Sequence, residues 1–497
     1  MNLRILLVSV TSTLALFCGL NGEGKRPNVL FIAIDDLNNW VGCLKGHPNA
    51  LTPNIDKLAS KGVLFSNAHC SAPACGPSRF SLMTGIAPYN SGVYHNKQSD
   101  RRSFSGITSL PQTFRENGFR TLGSGKLFHD NTFDELAWDI YIPRTKKIKT
   151  SQQNIDNKYS MDVRIGDIEG VDVPEQGNYG KGTGWGIVHD ADDVMPDYQV
   201  ASWVISQLKK KHEKPFFLGC GIFKPHQRWD IPKRHYDAFP IETIEFPKVT
   251  ENDLSDVPQI AKNIAAPQRH AKVLKDGVWK QGIQAYLAAI HFADAQVGRV
   301  LDALYKSEYA SNTIICLWSD HGWHLGEKEH WTKFSLWEST TQTVMVFAGP
   351  KIPQGEECNT PTSLLDIAPT FFDLFGFGKN PKHDGKSLLP LLNDPELELA
   401  EPVYTTHGKN NHSLRFPSWR YTKYRDGSVE LYDVLKDPNE WNNLALDKKY
   451  TEIIEELDTY MPNYSHNDQP FYDKLPLSKF DKLYGEKKNE NSSRIEN

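Results

Sequence analysis

The sequence predicts an α/β protein: a large, mainly parallel sheet flanked by helices, followed by a smaller antiparallel sheet with a helix packed on it. Three observations carry this. Continuous apolar runs alternate with helix-like segments, the pattern of a parallel sheet covered on both faces. Polar clusters follow the ends of those runs. Beyond about residue 400 the pattern changes to short strands separated by turn signals.

The elements follow in order. "RPNVLFIAIDDLNNW" carries an apolar run from Val29 to Ile34, a central strand ending abruptly in Asp35 and Asp36. "TPNIDKLASKG" reads as a helix with Thr52 as its N-cap, Pro53 at the first helical position and Gly62 as a stop. "VLFSNAHC" is a strand, and "LPQTFRENGFRTLGSGK" is a helix, a glycine turn and another strand. Between about 131 and 195 the periodicity fades around "EQGNYGKGTGWG", which reads as a long surface insertion. Helix then strand recurs from Pro196 to His226 and from Tyr286 to Gly322. "DGKSLLPLLNDPELE" closes the main domain. "HSLRFPSWRYTKYRDGSVELYDVLKDP" holds short strands around an Asp-Gly turn, with a helix expected from about Lys449 to Met461. The division is a signal segment at 1–22, a main domain at 23–395, a C-terminal subdomain at 396–480 and a polar, disordered tail at 481–497.

Composition narrows the function. The chain has 497 residues, 39% hydrophobic and 24% charged, enough for one large domain and a small one. A net charge of -5 argues against a non-specific nucleic-acid binder, so an anionic ligand needs a local basic pocket. Arg4 followed by the apolar stretch Ile5 to Phe17 reads as an export signal too short to span a bilayer, and no later stretch qualifies. The expectation is a periplasmic or secreted protein with no membrane span; bulky Phe17 disfavours a lipid anchor at Cys18. Six cysteines remain after the signal, without a regular framework, and Cys220 and Cys316 lie in apolar runs that bury them.

Asp35-Asp36, Lys126 to His129, Lys224 to His226 and Asp320-His321 all follow strand ends. Ligands bind at the carboxyl ends of strands in open α/β sheets, so these clusters point to one pocket. The stretch "CSAPACGPSRFSLMTG", Cys70 to Gly85, spends two cysteines five residues apart, either on a small disulfide loop or on chemistry.

Cys75-Gly76-Pro77-Ser78-Arg79, continued by Leu82-Met83-Thr84-Gly85, resembles the signature of the type I sulfatases, Cys-x-Pro-Ser-Arg followed by Thr-Gly. The resemblance spans roughly Arg26 to Asp447, and Asp320-His321 is similar to the iduronate-2-sulfatase-like branch, where many sulfatases have Asp-Asn. It implies an alkaline phosphatase-like fold and a sulfuric ester hydrolase. It implies that Cys75 is converted to 3-oxoalanine (formylglycine) by a formylglycine-generating or anaerobic maturation enzyme. In such enzymes one hydroxyl of the hydrated aldehyde attacks sulfur, and loss of the proton from the second releases sulfate. It implies one calcium per chain, held by Asp35, Asp36, Asp320, His321 and residue 75. Arg79 would fix the nucleophile, Lys126 and Lys333 would bind sulfate oxygens, His226 would protonate the leaving oxygen and His129 would assist the second step. His95, Arg228, Trp229 and His324, with Trp331, flank these motifs and are expected to touch the sugar. The substrate class is a sulfated polysaccharide or its oligosaccharides, with ulvan favoured over carrageenan or heparin-type glycans. Two other readings stand beside this one. The first is a phosphatase or phosphodiesterase of the same superfamily, which uses Ser or Thr and two metals. The second is a glycan-binding protein whose Cys75 is never converted.

Overall fold

The computed structural model describes residues 26–98, 107–129, 135–144, 149, 155–160 and 184–469. The signal segment, most of the glycine-rich insertion and the polar tail lie outside these residues.

Eight strands form the main sheet: β1 Asn28–Asp35, β2 Gly62–Phe65, β3 Arg120–Gly125, β4 Ile140–Ile142, β5 Phe216–Pro225, β6 Thr313–Ser319, β7 Met345–Ala348 and β8 Glu356–Cys358. Their order is β8-β2-β7-β6-β1-β5-β3-β4, parallel throughout except for β7, which runs against both neighbours. Alternation along β1 sends Leu30, Ile32 and Ile34 to one face and Val29, Phe31 and Ala33 to the other, and both sets are buried. That is why β1 reads as an unbroken apolar run.

Among the flanking helices are α1 Pro53–Ala59, α2 Cys75–Thr84, α3 Pro196–Leu208, α4 Trp279–Tyr305 and α5 Ile367–Phe375. Thr52 does not cap α1 through its side chain as expected. Its hydroxyl donates to Asp56 instead, and Asp294 of α4 accepts from the free N–H groups of Asn54 and Ile55 at 3.1 and 2.8 Å. A tertiary carboxylate thus does the work of a local cap.

The segment read as a surface insertion contributes structure. β4 extends the main sheet, and Ile155–Ser160 and Gly184–Val188 join Trp229–Pro232 in a three-stranded sheet. The smaller sheet is an antiparallel meander of β9 Val403–Thr406, β10 His412–Arg415, β11 Trp419–Lys423 and β12 Val429–Asp433. The helix after it, Thr451–Asp458, is shorter than expected because Lys448–Tyr450 is a 3-10 turn. Among the described residues no helix is long and apolar enough to cross a membrane.

Candidate active site

The carboxyl ends of β1, β3, β5 and β6 face the N-terminus of α2, and their polar residues meet there. Neighbouring residues of a strand point to opposite faces, so Asp35 and Asp36 could not both enter one site without a turn. Asp36 takes a left-handed conformation, φ 61°, which Asp tolerates and which re-aims its side chain. The backbone N–H of Asp36 donates to Asp320 Oδ1 at 3.0 Å, locking β1 to β6. Lys126 follows Gly125, and its N–H donates to Gly221 O at 3.0 Å. A Cβ on Gly221 would lie 2.3 Å from the Lys126 nitrogen, so only glycine lets the two strands approach this closely.

Cys75 is the first residue of α2, and every residue of that helix is buried. The N–H of Gly76 donates to Asn96 Oδ1 at 2.8 Å. Arg79, one turn on, forms a fully buried fork with Asp35 (Nη2 to Oδ1, 3.1 Å) and Asp320 (Nε to Oδ2, 2.8 Å). It also donates to the carbonyls of Lys126 and Leu127. Lys126 Nζ lies 2.5 Å from Asp35 Oδ2 and 3.5 Å from Cys75 Sγ; Lys333 Nζ lies 2.7 Å from Asp36 Oδ1 and 2.9 Å from Cys75 Sγ. His321 Nε2 is 3.3 Å from the same sulfur. His226 Nε2 stands 3.8 Å from Asp36 Oδ2, and its Nδ1 donates to Gln227 O at 2.9 Å.

The electrostatics follow from burial and from these neighbours. Burial opposes the charge of Asp35, but Lys126, Arg79 and Lys333 outweigh it and hold the carboxyl well below its usual range. Burial pushes Asp36 upward against Lys333, with Asp35 and Asp320 adding to the rise. Burial also disfavours the charges of Lys126 and Lys333, yet Asp35 beside the first and Asp36 beside the second keep both protonated. His226 is held neutral by burial, then by Lys126 and Lys333; burial lowers His321 to about 4. Burial, then Asp35, raises the Cys75 thiol against the pull of Lys126 and Lys333.

Two ligand sets surround one spot. Atoms of Asp35, Asp36, Cys75 and His226 lie within 4.8 Å of one another, as do those of Asp36, Cys75, Asp320 and His321. Among the described residues, Asp36 Oδ2 is buried and accepts no hydrogen bond. An orphaned carboxylate oxygen among three buried carboxylates fits a hard divalent cation. The three carboxylates are otherwise balanced by Arg79, Lys126 and Lys333. A divalent cation would therefore leave the pocket net positive, suited to an anion despite the acidic chain.

The sequence-derived residues divide. Asp35, Asp36, Cys75, Arg79, Lys126, His226, Asp320, His321 and Lys333 come together. His129 stands half-buried three residues beyond Lys126, at the same strand end. Arg228 lies on the rim, its guanidinium engaged by Asp230 at 3.2 Å. His95 is buried beside Asn96. Trp229 is not a sugar contact: it is fully buried, donates to Pro225 O at 2.5 Å and packs against Tyr286 and Trp323, supporting the His226 turn from beneath. Nor is His324, which is buried with Nε2 on Ser335 at 2.9 Å and Nδ1 on Glu327 O. Trp331 is likewise core, its indole donating to His270. Cys70 and Cys75 are both free thiols. Cys70 O instead accepts from Thr405 of the C-terminal sheet at 2.6 Å.

Three supporting residues hold the turns of the site; the sequence marks Lys224 as part of a strand-end cluster but not Tyr286 or His330. Tyr286 of α4 donates to Asp36 O at 2.7 Å and accepts from Asn38 N at 3.0 Å, fixing the turn at Asp36. Lys224 donates to the carbonyls of His226 and Arg228 and staples the turn that presents His226. His330 Nε2 lies 2.9 Å from Lys333 O. Tyr286 acts on backbone groups far away in sequence and His330 within a turn of unreadable shape, so no local motif marks either.

Comparison with known proteins agrees with this geometry. A family model described as Sulfatase matches residues 27–377, and one described as N-sulphoglucosamine sulphohydrolase, C-terminal, matches residues 326–467. The chain is 39% identical over 454 residues to a protein named Sulfatase from Formosa agariphila, covering 88% of this chain and 87% of that one. It is 32% identical over 416 residues to iduronate 2-sulfatase of Homo sapiens, covering 78% of this chain and 71% of that one. Among solved structures, a phosphonate monoester hydrolase of Agrobacterium radiobacter superposes with a TM-score of 0.72 at 20% identity, covering 87% of this chain and 94% of that one, a likeness of fold alone.

Proposed function

This chain belongs to the sulfatase family and is a sulfuric ester hydrolase; from that premise we propose that it removes sulfate from a sulfated glycan, using one calcium ion and a formylglycine made from Cys75. The observation that carries this reading is the position of Cys75 Sγ, at the start of a buried helix and among Asp36, Lys126, Lys333 and His321. In the converted protein, oxygens of the modified residue take the place of that sulfur. The hydrated aldehyde supplies the nucleophilic hydroxyl and a second hydroxyl whose deprotonation frees the sulfate.

The residues of the chain do the rest. Asp35, Asp36, Asp320 and His321 hold the cation, with Asp36 Oδ2 the free donor. Lys126 and Lys333 turn from carboxylate partners toward sulfate oxygens and stabilise the charge that builds up there. The helix N-terminus of α2 favours negative charge at the same place. His226 is neutral in the resting site, and the charge of the bound sulfate counters Lys126 and Lys333 and lets Nε2 carry the proton given to the leaving alcohol. His129 assists the second step.

For the substrate, likeness to a protein named iduronate 2-sulfatase supports a uronate-bearing glycan. Ulvan-type oligosaccharides are the first to test, with heparin- and carrageenan-type fragments beside them. The apolar stretch Ile5 to Phe17 supports export, which would bring the enzyme to such polymers. The test is release of inorganic sulfate from these fragments by purified protein, with phosphate and phosphonate monoesters assayed in parallel and bound metal determined by elemental analysis. The expected result is sulfate release and one calcium per chain. Faster turnover of phosphate monoesters, with two metals per chain, contradicts the reading.

A further inference from the structure

The glycan reading says nothing of how the sugar itself is held, and the structure offers an unassigned answer on the C-terminal side. We propose that His407, on the turn after β9, forms with Phe334 and His95 a subsite for a hydroxyl-bearing sugar ring of the substrate. The inference rests on the function proposed above.

Phe334 borders the reacting centre. Lys333 Nζ, 2.9 Å from Cys75 Sγ, is 5.7 Å from the centre of the Phe334 ring. Phe334 has φ 77°, a left-handed conformation that a bulky aromatic rarely adopts. Its N–H donates to Pro73 O at 3.1 Å, two residues before Cys75, so the strained backbone is tied to the start of α2. Such strain persists where it places a side chain that another geometry would not.

His407 lies beside Phe334, ring centres 6.1 Å apart and planes inclined by 37°. The turn that carries it is closed by hydrogen bonds between His407 and Asn411 in both directions. Among the described residues, His407 Nδ1 is buried without a hydrogen-bond partner. Leaving such a group unsatisfied is costly, and a ligand hydroxyl would satisfy it. Two other histidines, His95 and His330, act on its charge. Burial, then His95 and His330, lowers the His407 pKa to about 3, so the imidazole is neutral. A neutral ring nitrogen is a donor or an acceptor according to its tautomer, and a hydroxyl, which can do either, pairs with it in both cases. His95 precedes Asn96, whose side chain binds Gly76 N, so this wall is continuous with the nucleophile helix.

The experiment compares wild type, His407→Ala and His407→Asn. It measures kcat/KM on sulfated heparin, ulvan and carrageenan oligosaccharides and on 4-nitrophenyl sulfate, which has no sugar ring. Losing one hydrogen bond to the sugar should lower the sugar-to-aryl ratio about tenfold in His407→Ala, mainly through KM. His407→Asn, which keeps a polar group near the Nδ1 position, should recover part of that ratio. A ratio within twofold of wild type overturns the subsite, whether or not overall activity falls; if the alanine variant does not fold, the asparagine variant is held to the same criterion, with a smaller expected drop. Wild type active on sugars with an unmoved ratio overturns the subsite alone. Wild type that cleaves the aryl ester but no sugar sulfate overturns the glycan reading and the subsite with it.

Discussion

Lys333 places its ammonium 2.9 Å from Cys75 Sγ and 2.7 Å from Asp36 Oδ1, so a single buried cation touches both the nucleophile position and a metal-binding carboxylate. Sulfate attached to either must meet this charge. Lys333→Ala should lower kcat by about 10²–10³, the usual loss when one preorganised electrostatic partner is removed. Lys333→Arg should not restore it, because the planar fork cannot take the place of a compact ammonium. Steady-state kinetics on a sugar sulfate decides this; activity of Lys333→Ala within twofold of wild type removes the lysine from the chemistry.

Arg79 is structural as well as functional. It is fully buried and bridges Asp35, Asp320 and two carbonyls, so its loss takes the charged partner from buried Asp320 and leaves Asp35 with Lys126 alone. Arg79→Met should cost about 3–5 kcal/mol of stability, and Arg79→Lys should recover little because it lacks the fork. Urea unfolding measures it; a loss below about 1 kcal/mol contradicts the assignment.

The two histidines flanking the site should separate by substrate. A general acid matters most for a poor leaving group. His226→Ala should therefore cripple hydrolysis of a sugar sulfate and affect 4-nitrophenyl sulfate far less. His129→Ala should slow both, since it acts after the alcohol has gone. Equal losses on both esters for His226→Ala reject the general-acid role.

His47 offers a pH test away from the site. Its Nδ1 accepts from Asn49 N at 3.1 Å and its Nε2 faces Glu245 O at 3.2 Å, so the ring is neutral with the hydrogen on Nε2. Protonation would break the Asn49 bond, and burial lowers the pKa to about 4 from the ordinary 6.5. A histidine whose folded pKa is depressed contributes stability that is present above the unfolded pKa and is lost as pH falls from about 6.5 toward 4. The stability gap between wild type and His47→Gln, which does not titrate, should thus shrink over that window. A gap that stays constant from pH 7 to pH 4.5 contradicts it.

How much of this was legible in the sequence depends on range. β1 was readable because both its faces are buried, and the Cys75 motif because its residues are contiguous. The strand-end clusters at Asp35, Lys126, His226 and Asp320 could be grouped because the sheet fixes where strand ends lie. Trp229 and His324 misled because an aromatic or imidazole beside a catalytic motif looks the same whether it faces the pocket or the core; only packing against Tyr286 or a bond to Ser335 separates the two. Asp294 capping α1, and β4 pairing with β3, rest on contacts between distant segments, which no local pattern encodes. His407 was missed for the same reason: its partner Phe334 lies in a loop distant in the chain.

The central claim is that position 75 carries an aldehyde rather than a thiol. The mass of the proteolytic peptide spanning Cys75 to Arg79, from protein produced together with a maturation enzyme, tests it directly. The expected peptide is lighter than the cysteine form by the replacement of sulfhydryl and hydrogen with oxygen. It should react with a hydrazide, and Cys75→Ser protein should give no multiple turnover. An unmodified thiol peptide from protein that turns over sugar sulfate steadily would contradict the account.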